Sequence, residues 1–344
     1  MTSLVIGKFY PPHRGHKYLI DTALGVGGVL HVIVCERPGE RPDGTRRLAW
    51  IREWYGDGKT ITYHLITDVY PQDDSQVWAD LCKGWIGGVP DRVFTSEDYG
   101  DRFAQCLGCE HVKVDVGRRR VPISGTRIRE SPFTHLEYLE PNVGAWYLPR
   151  IVVVGAESTG KTTLAERLAT HYGTEWIAEA GRAFCEERIE SGTIEQYVWK
   201  TDDFVEIATR QTTAENDGAM RSVRRGARLL ICDTDPFATS IWHERYVGAV
   251  SAEVERIATE HDRGVHTQVY LLADNGVAFV QDGYRDGEGI RDWMYGRFVE
   301  ELQRRGKRYH VLTGSYEDRF RLAIGVVDSL VSGRSTGPGL EGPA

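Results

Sequence analysis

IVVVGAESTGKTTLAERLA, residues 151–169, reads as a strand, a glycine turn and a helix in immediate succession. Four β-branched residues, Ile151 to Val154, make a short apolar run suited to a buried strand. The next residues, Gly155-Ala-Glu-Ser-Thr-Gly160-Lys161-Thr162, match the phosphate-binding pattern G-x-x-x-x-G-K-[ST]. Its glycines let the backbone curl so that successive N–H groups face an anion, helped by the positive end of the following helix. The pattern predicts that Gly155, Glu157, Ser158, Thr159, Gly160, Lys161, Thr162 and Thr163 surround the phosphates of ATP. Lys161 is expected at the β- and γ-phosphates, and the Thr162 hydroxyl on Mg²⁺. A strand feeding a helix in this way belongs in a parallel sheet.

Downstream, strands are predicted at 228–232, 268–273 and 308–314, with helical segments between them. The first ends in Asp233-Thr-Asp235, where a carboxylate can hold the metal or orient an attacking hydroxyl. Asp233 is the expected metal ligand, and Asp233 and Asp235 are both candidates for the base. Gln281-Asp-Gly-Tyr-Arg285, with Arg291 further on, is a polar stretch suited to a lid that lays Arg285 and Arg291 on a transferring phosphoryl group. Upstream the chain pauses at Leu148-Pro149-Arg150, so domains are expected over 1–148 and 149–332. The tail 333–344, rich in Gly, Pro and Ser, is expected to be disordered. Over 1–148, strands at 3–6, 29–35, 60–66, 92–95 and 111–115 alternate with amphipathic stretches, again an α/β pattern with a parallel sheet flanked by helices.

The 344 residues suffice for two hydrophobic cores, and 41% hydrophobic with 27% charged residues excludes wholesale disorder. A formal charge of −8 argues against a general nucleic-acid binder, although Arg118 to Arg120 form a local basic cluster. No apolar run approaches the about 18 residues of a membrane helix, and the N-terminus lacks a signal-peptide layout. No nucleic-acid or membrane partner is therefore expected, and a cytoplasmic location is; a homo-oligomer is compatible with the sequence. Cys106-Leu-Gly-Cys109 with His111 resembles half of a zinc site, but no second pair completes it, and the cysteines read as small buried residues.

Two stretches of the first half carry chemistry. In GKFYPPHRGHKYLI (7–20), Gly7 ends a strand, two prolines stiffen a turn, and His13 and His16 fall on one edge of a helix start. Two imidazoles there form a donor pair aimed at an anion, with structural pairing and metal binding as the alternatives. In VPISGTRIR (121–129), Ser124, Thr126 and Arg129 stand at a second helix start. Together these resemble the nucleotidyltransferase superfamily motifs H-x-G-H and I-S-x-T-x-x-R. The resemblance implies a Rossmann-like domain that transfers the adenylyl group of ATP. His13 and His16 would act at the α-phosphate, Ser124, Thr126 and Arg129 at the leaving phosphates, and Gly7, Lys8 and Phe9 at the nucleotide.

An adenylyltransferase followed by a kinase resembles the NadR-type family of bifunctional nicotinamide enzymes, by GKFYPPHRGHKYLI, HVIVC, TSEDYG, VPISGTRIRESP, VVGAESTGKTTL and CDTDPFAT. It implies phosphorylation of nicotinamide riboside to the mononucleotide (NMN), then adenylation of NMN to NAD. A bifunctional coenzyme A synthase and a nucleotide sensor without turnover are the alternatives. The pyridinium ring calls for aromatic faces and carboxylates. Candidates are Trp78, within Tyr70 to Trp78, in the first domain and Glu179, Arg182 and Trp242 in the second. Residues 309–320 resemble the adenine-side loop of related kinases. Some members of the family carry an N-terminal DNA-binding helix-turn-helix. This chain opens on the first transferase strand, so no repressor role is expected of it.

Overall fold

The computed structural model describes residues 1–71 and 74–332; the expected disordered tail 333–344 and Asp73 of the Tyr70–Trp78 stretch lie outside them. The chain divides into two units, Met1–Val143 and Gly144–Ala344. The pause near 148 lies just past the helix within which this division falls.

In the N-terminal unit β1 (Thr2–Gly7), α1 (Arg14–Gly25), β2 (Val29–Glu36), α2 (Gly44–Tyr55), β3 (Ile61–Thr67), α3 (Ser75–Ile86), β4 (Arg92–Thr95), α4 (Gly100–Leu107) and β5 (Glu110–Lys113) alternate, followed by α5 (Gly125–Glu130). The five strands form one parallel sheet in the order β3-β2-β1-β4-β5. Alternating side chains build its two faces. Val5, Val32 and Phe94 pack under Ile20 of α1 and Ile51 of α2, whereas Leu4, Ile33 and Val93 pack under Ala79 of α3 and Phe103 of α4. The strand order reverses at β1, where open α/β sheets leave a crevice beyond the carboxyl ends of their strands. The histidine turn lies in that crevice.

Helix α6 (Pro141–Tyr147) leads into the C-terminal unit: β6 (Arg150–Val154), α7 (Lys161–Tyr172), β7 (Trp176–Ile177), α8 (Ala180–Arg188), α9 (Thr201–Arg224), β8 (Leu230–Asp233), α10 (Pro236–Val247), α11 (Ala252–Arg263), β9 (Gln268–Ala273), α12 (Arg291–Arg304), β10 (Tyr309–Leu312) and α13 (Tyr316–Val331). Its sheet is also parallel, in the order β10-β9-β6-β8-β7. Ile151 and Val153 of the central strand bury against Leu164 and Leu168 of α7 and Val327 of α13. The phosphate-loop sequence therefore leaves the middle of the sheet, flanked by the ends of β8 and β9. Strand β7, two residues long, is the one described strand that the apolar pattern did not predict.

Candidate active sites

In the N-terminal unit His13 caps α1. Its Nδ1 accepts the N–H groups of Gly15 (3.1 Å) and His16 (3.4 Å), while its own N–H donates to Nδ1 of His16 (3.3 Å). The two rings stack with centroids 3.8 Å apart. Burial holds His13 at a pKa of about 3, with the Arg118 guanidinium adding to the effect. Burial likewise holds His16 well below its ordinary value, followed by the charges of His13 and Arg118. Both imidazoles are thus neutral at pH 7. Because each Nδ1 accepts a backbone proton, the ring proton sits on Nε2, the atom left to donate.

A cavity of about 500 Å³ is lined by Gly7, Lys8, Phe9, His13, His16, Ser124, Thr126 and Arg129, joined by Tyr10 and Arg118. Two close approaches bring the turn and α5 together. A Cβ on Gly125 would collide with the Tyr10 carbonyl oxygen, and Arg129 donates to that oxygen and to Thr126 Oγ1 while lying over the Tyr10 ring. The turn is braced from behind by Arg47, fully buried, which donates to the carbonyls of Lys8 and Cys35 and pairs with Glu40. Trp78 does not line this cavity. It clusters with Tyr70 and Trp85, its Nε1–H donating to the Pro71 carbonyl at 2.8 Å.

In the C-terminal unit Gly155 (φ 143°) and Gly160 (φ 82°) hold the loop in backbone that favours glycine. A Cβ on Gly155 would sit 2.7 Å from the Ala273 carbonyl oxygen. Lys161 Nζ donates to the Ala156 carbonyl (2.8 Å), and the Thr162 hydroxyl donates to Asp233 Oδ2 (2.5 Å). Asp233 Oδ1 is buried without a hydrogen-bond partner among the described residues, and burial raises its carboxyl. A hydroxyl and a carboxylate so paired, with one buried oxygen unsatisfied, are a donor set for a hard divalent cation, and they fit Mg²⁺. The segment resembling an adenine-side loop backs the phosphate loop: Arg319 donates to the Thr159 carbonyl (2.9 Å) and pairs with Asp274.

A second cavity of about 500 Å³ joins this loop to Glu179, Arg182, Trp242 and Arg285, with Trp199, Tyr246 and Gln211 completing its wall. Trp199 stacks on Tyr246 (4.8 Å), and Trp242 lies parallel to Tyr246 (6.3 Å). Glu179 is half-buried; burial lifts its carboxyl to about 7, opposed by Lys161 and helped by Asp233 and Glu157. Neither Asp233 nor Asp235 lines the cavity, and both are buried, but their partners differ: Asp235 caps α10 through the Ala238 N–H (3.0 Å) and accepts the Tyr270 hydroxyl (2.6 Å), which leaves it no free oxygen.

The Gln281–Arg291 stretch is latched to the phosphate loop by Glu157, whose carboxylate accepts the N–H groups of Asp286 (3.2 Å) and Gly287 (2.7 Å) and pairs with Arg245 (2.7 Å). Arg245 also pairs with Asp286 and lies over the Tyr246 ring. Arg285 borders the cavity, whereas Arg291 donates to the Val277 carbonyl (2.9 Å) and does not line it. Arg182 is held by Asp282 (2.7 Å) and Glu186 (2.6 Å). Arg47, Gln211 and Arg245 carried no motif. The i, i+4 spacing of Trp242 and Tyr246 on α10 is the one pattern that could have exposed part of this wall. All six cysteines are free, and Cys106, Cys109 and Cys185 are only half-buried, more open than their small-core reading implied.

Comparison with known proteins adds a family frame. A family described as an AAA domain matches residues 150–319. The trifunctional NAD biosynthesis/regulator protein NadR of Salmonella typhimurium is 26% identical over 351 residues, spanning 95% of this chain and 83% of that protein. Its Escherichia coli K12 counterpart is 27% identical over 352 residues, with the same coverage. Crystal structures of a NadR protein superpose along nearly the whole chain. The complex with NAD and AMP-PNP is 20% identical, with a TM-score of 0.71 and 98% of each chain covered. The complex with NR is 18% identical, with a TM-score of 0.72, covering 100% of this chain and 98% of that one. At these identities the superpositions establish the fold. Among the described residues no helix is long and apolar enough to cross a membrane.

Proposed function

Because the chain belongs to the NadR-type family of bifunctional NAD-biosynthesis enzymes, we propose that it makes NAD from nicotinamide riboside in two steps. The C-terminal unit phosphorylates the riboside at the expense of ATP, giving NMN and ADP. The N-terminal unit joins NMN to the adenylyl group of a second ATP and releases pyrophosphate. The observation carrying this reading is that each sheet leads from a central strand into its own cavity of about 500 Å³, past the histidine turn after β1 and the glycine loop after β6.

In the kinase step Thr162 and Asp233 hold Mg²⁺, which neutralises charge on the phosphates when bound. Lys161 and Arg285 lie on the transferring group. Glu179, a carboxyl lifted to about 7, takes the proton of the ribose 5′-hydroxyl. That leaves Asp233 to the metal and Asp235 to the fold. The pyridinium ring, a cation, lies against Trp242 and Tyr246. In the adenylyl step the Nε2–H groups of His13 and His16 donate to the α-phosphate as charge builds there, while Ser124, Thr126 and Arg129 hold the departing pyrophosphate. Neutral donors preset by backbone hydrogen bonds need no rearrangement during the reaction. The proposal includes a cytoplasmic setting, supported by six free cysteines, and no nucleic-acid partner.

Supplying the intact chain with nicotinamide riboside and Mg-ATP should yield ADP and NMN, then pyrophosphate and NAD. Turnover of phosphopantetheine in place of the riboside would refute the proposal. Glu179→Gln should lower the kinase kcat about a hundredfold. It should also abolish the rise in wild-type rate as pH climbs through about 7, where the carboxyl becomes a base.

A further inference from the structure

We infer that Gln211 is a positioning residue for phosphoryl transfer, its amide bridging the backbone that follows Glu179 to the backbone that follows Asp233. The inference rests on the kinase reading of the C-terminal unit. Gln211 projects from α9, 1% exposed, at the cavity wall. Its Oε1 accepts the N–H of Ala180 at 2.9 Å. Its Nε2 donates to the Thr234 carbonyl (3.4 Å) and to Glu215 Oε1 (3.2 Å). One side chain thus spans the two segments that carry the carboxylates assigned to base and metal.

The direction of the amide is fixed by chemistry. The Glu215 carboxylate can only accept here, so the NH₂ group must face it, and the carbonyl oxygen is left for Ala180. Glu215 is itself anchored, pairing with Arg150 (3.0 Å) and His261 (2.9 Å), all three buried. Although burial pushes the Glu215 carboxyl up, His261 and Arg150 more than offset this and hold it below its ordinary value. The bridge therefore stands on an ion network rather than on a mobile side chain.

What the bridge restrains is unusual backbone. Thr234 has φ 61°, a left-handed conformation that a β-branched residue adopts only when its surroundings impose it. Its N–H donates to the Val153 carbonyl (3.0 Å), and its own carbonyl receives Gln211. Releasing that carbonyl frees the turn to relax and moves Asp233, while releasing Ala180 frees Glu179. In-line transfer is sensitive to such shifts, since about 1 Å of misplacement can cost about a hundredfold in rate.

Gln211→Met keeps the side-chain length and removes all three hydrogen bonds. Kinase kcat should fall roughly 30- to 100-fold, with both KM values within about threefold and the adenylyl-transfer rate of the same chain unchanged. Ala180→Pro is the second variant. It replaces the N–H that Gln211 accepts with a ring carbon that displaces Gln211 Oε1, at the first position of α8, where proline is tolerated, and Glu179 (φ −65°, ψ 116°) already has the backbone that precedes proline. It should lower kcat about tenfold in a chain that still melts cooperatively. A Met variant with kcat within about twofold of wild type overturns the inference, as does a raised riboside KM at unchanged kcat, which would make Gln211 a substrate contact. If the Met variant does not fold, an unaltered kcat in Ala180→Pro overturns it alone. Wild-type turnover, measured alongside, tests the kinase reading separately: a chain that phosphorylates a different nucleoside refutes the riboside assignment, while the ratio of variant to wild-type kcat still judges Gln211.

Discussion

On the proposed reading the two cradles grip a triphosphate with different materials. After β6 the phosphate loop relies on backbone: glycine conformations at 155 and 160 and the start of α7, with a single lysine reaching in. After β1 the histidine turn relies on side chains: two stacked neutral imidazoles, and arginine from α5 across the Tyr10 carbonyl. The chemistry explains the contrast. A transferring γ-phosphoryl group is gripped from the end of the chain, where a row of N–H groups suffices. Attack at the α-phosphate happens mid-chain, and donors must reach it from one side while others hold the leaving pair.

The largest effect should come from the most concentrated charge. Lys161→Ala should lower the kinase kcat by about a thousandfold and leave NAD formation from supplied NMN within about twofold, measured as ADP and pyrophosphate release. His16→Ala should invert that result with a loss of about a hundredfold in adenylyl transfer. Loss of both steps in either variant, in a chain that still melts cooperatively, would break the comparison.

A third experiment sharpens it through pH. His13 has a folded pKa of about 3 against an ordinary 6.5, so the unfolded chain binds more protons between those values. Stability of the N-terminal unit should therefore fall as pH drops below 6.5, by about 2 kcal/mol at pH 5 from His13 alone. His13→Asn, which can still cap α1, should flatten that dependence in urea melts. The C-terminal cradle, with no histidine in its loop and with the Glu179 carboxyl raised to about 7, should not lose stability from this source as pH drops, its Glu179 contribution running the other way. The smallest effect is expected at the ring site: Trp242→Ala should raise the riboside KM about tenfold at nearly constant kcat.

Legibility followed the same division of materials. The central strands, buried on both faces, stand out as apolar runs, and the edge strands β3 and β5 as alternating β-rich stretches, so nine of the ten described strands were predicted within a few residues, and β7, two residues long, was not. The phosphate loop could be read because its backbone demands glycine at fixed spacing. The histidine turn could be read because His13 and His16 sit three apart at a helix start. Gln211 and Arg245 are ordinary polar helix residues whose partners lie 31 and 88 positions away, and no local pattern announces them. Trp78 and Asp235 show the converse. A tryptophan among carboxylates and an aspartate at a strand end looked like ligands, but Trp78 packs on Tyr70 and Trp85, and Asp235 spends both oxygens on a helix cap and a tyrosine.

The central claim is that one chain holds two independent nucleotide sites, and calorimetric titration with a non-hydrolysable ATP analogue tests it most directly. The account predicts two analogue molecules per chain in the wild type, one in Lys161→Ala, and one in a variant with both His13 and His16 replaced by alanine. A single molecule per wild-type chain, lost with Lys161 and indifferent to the histidines, would contradict it.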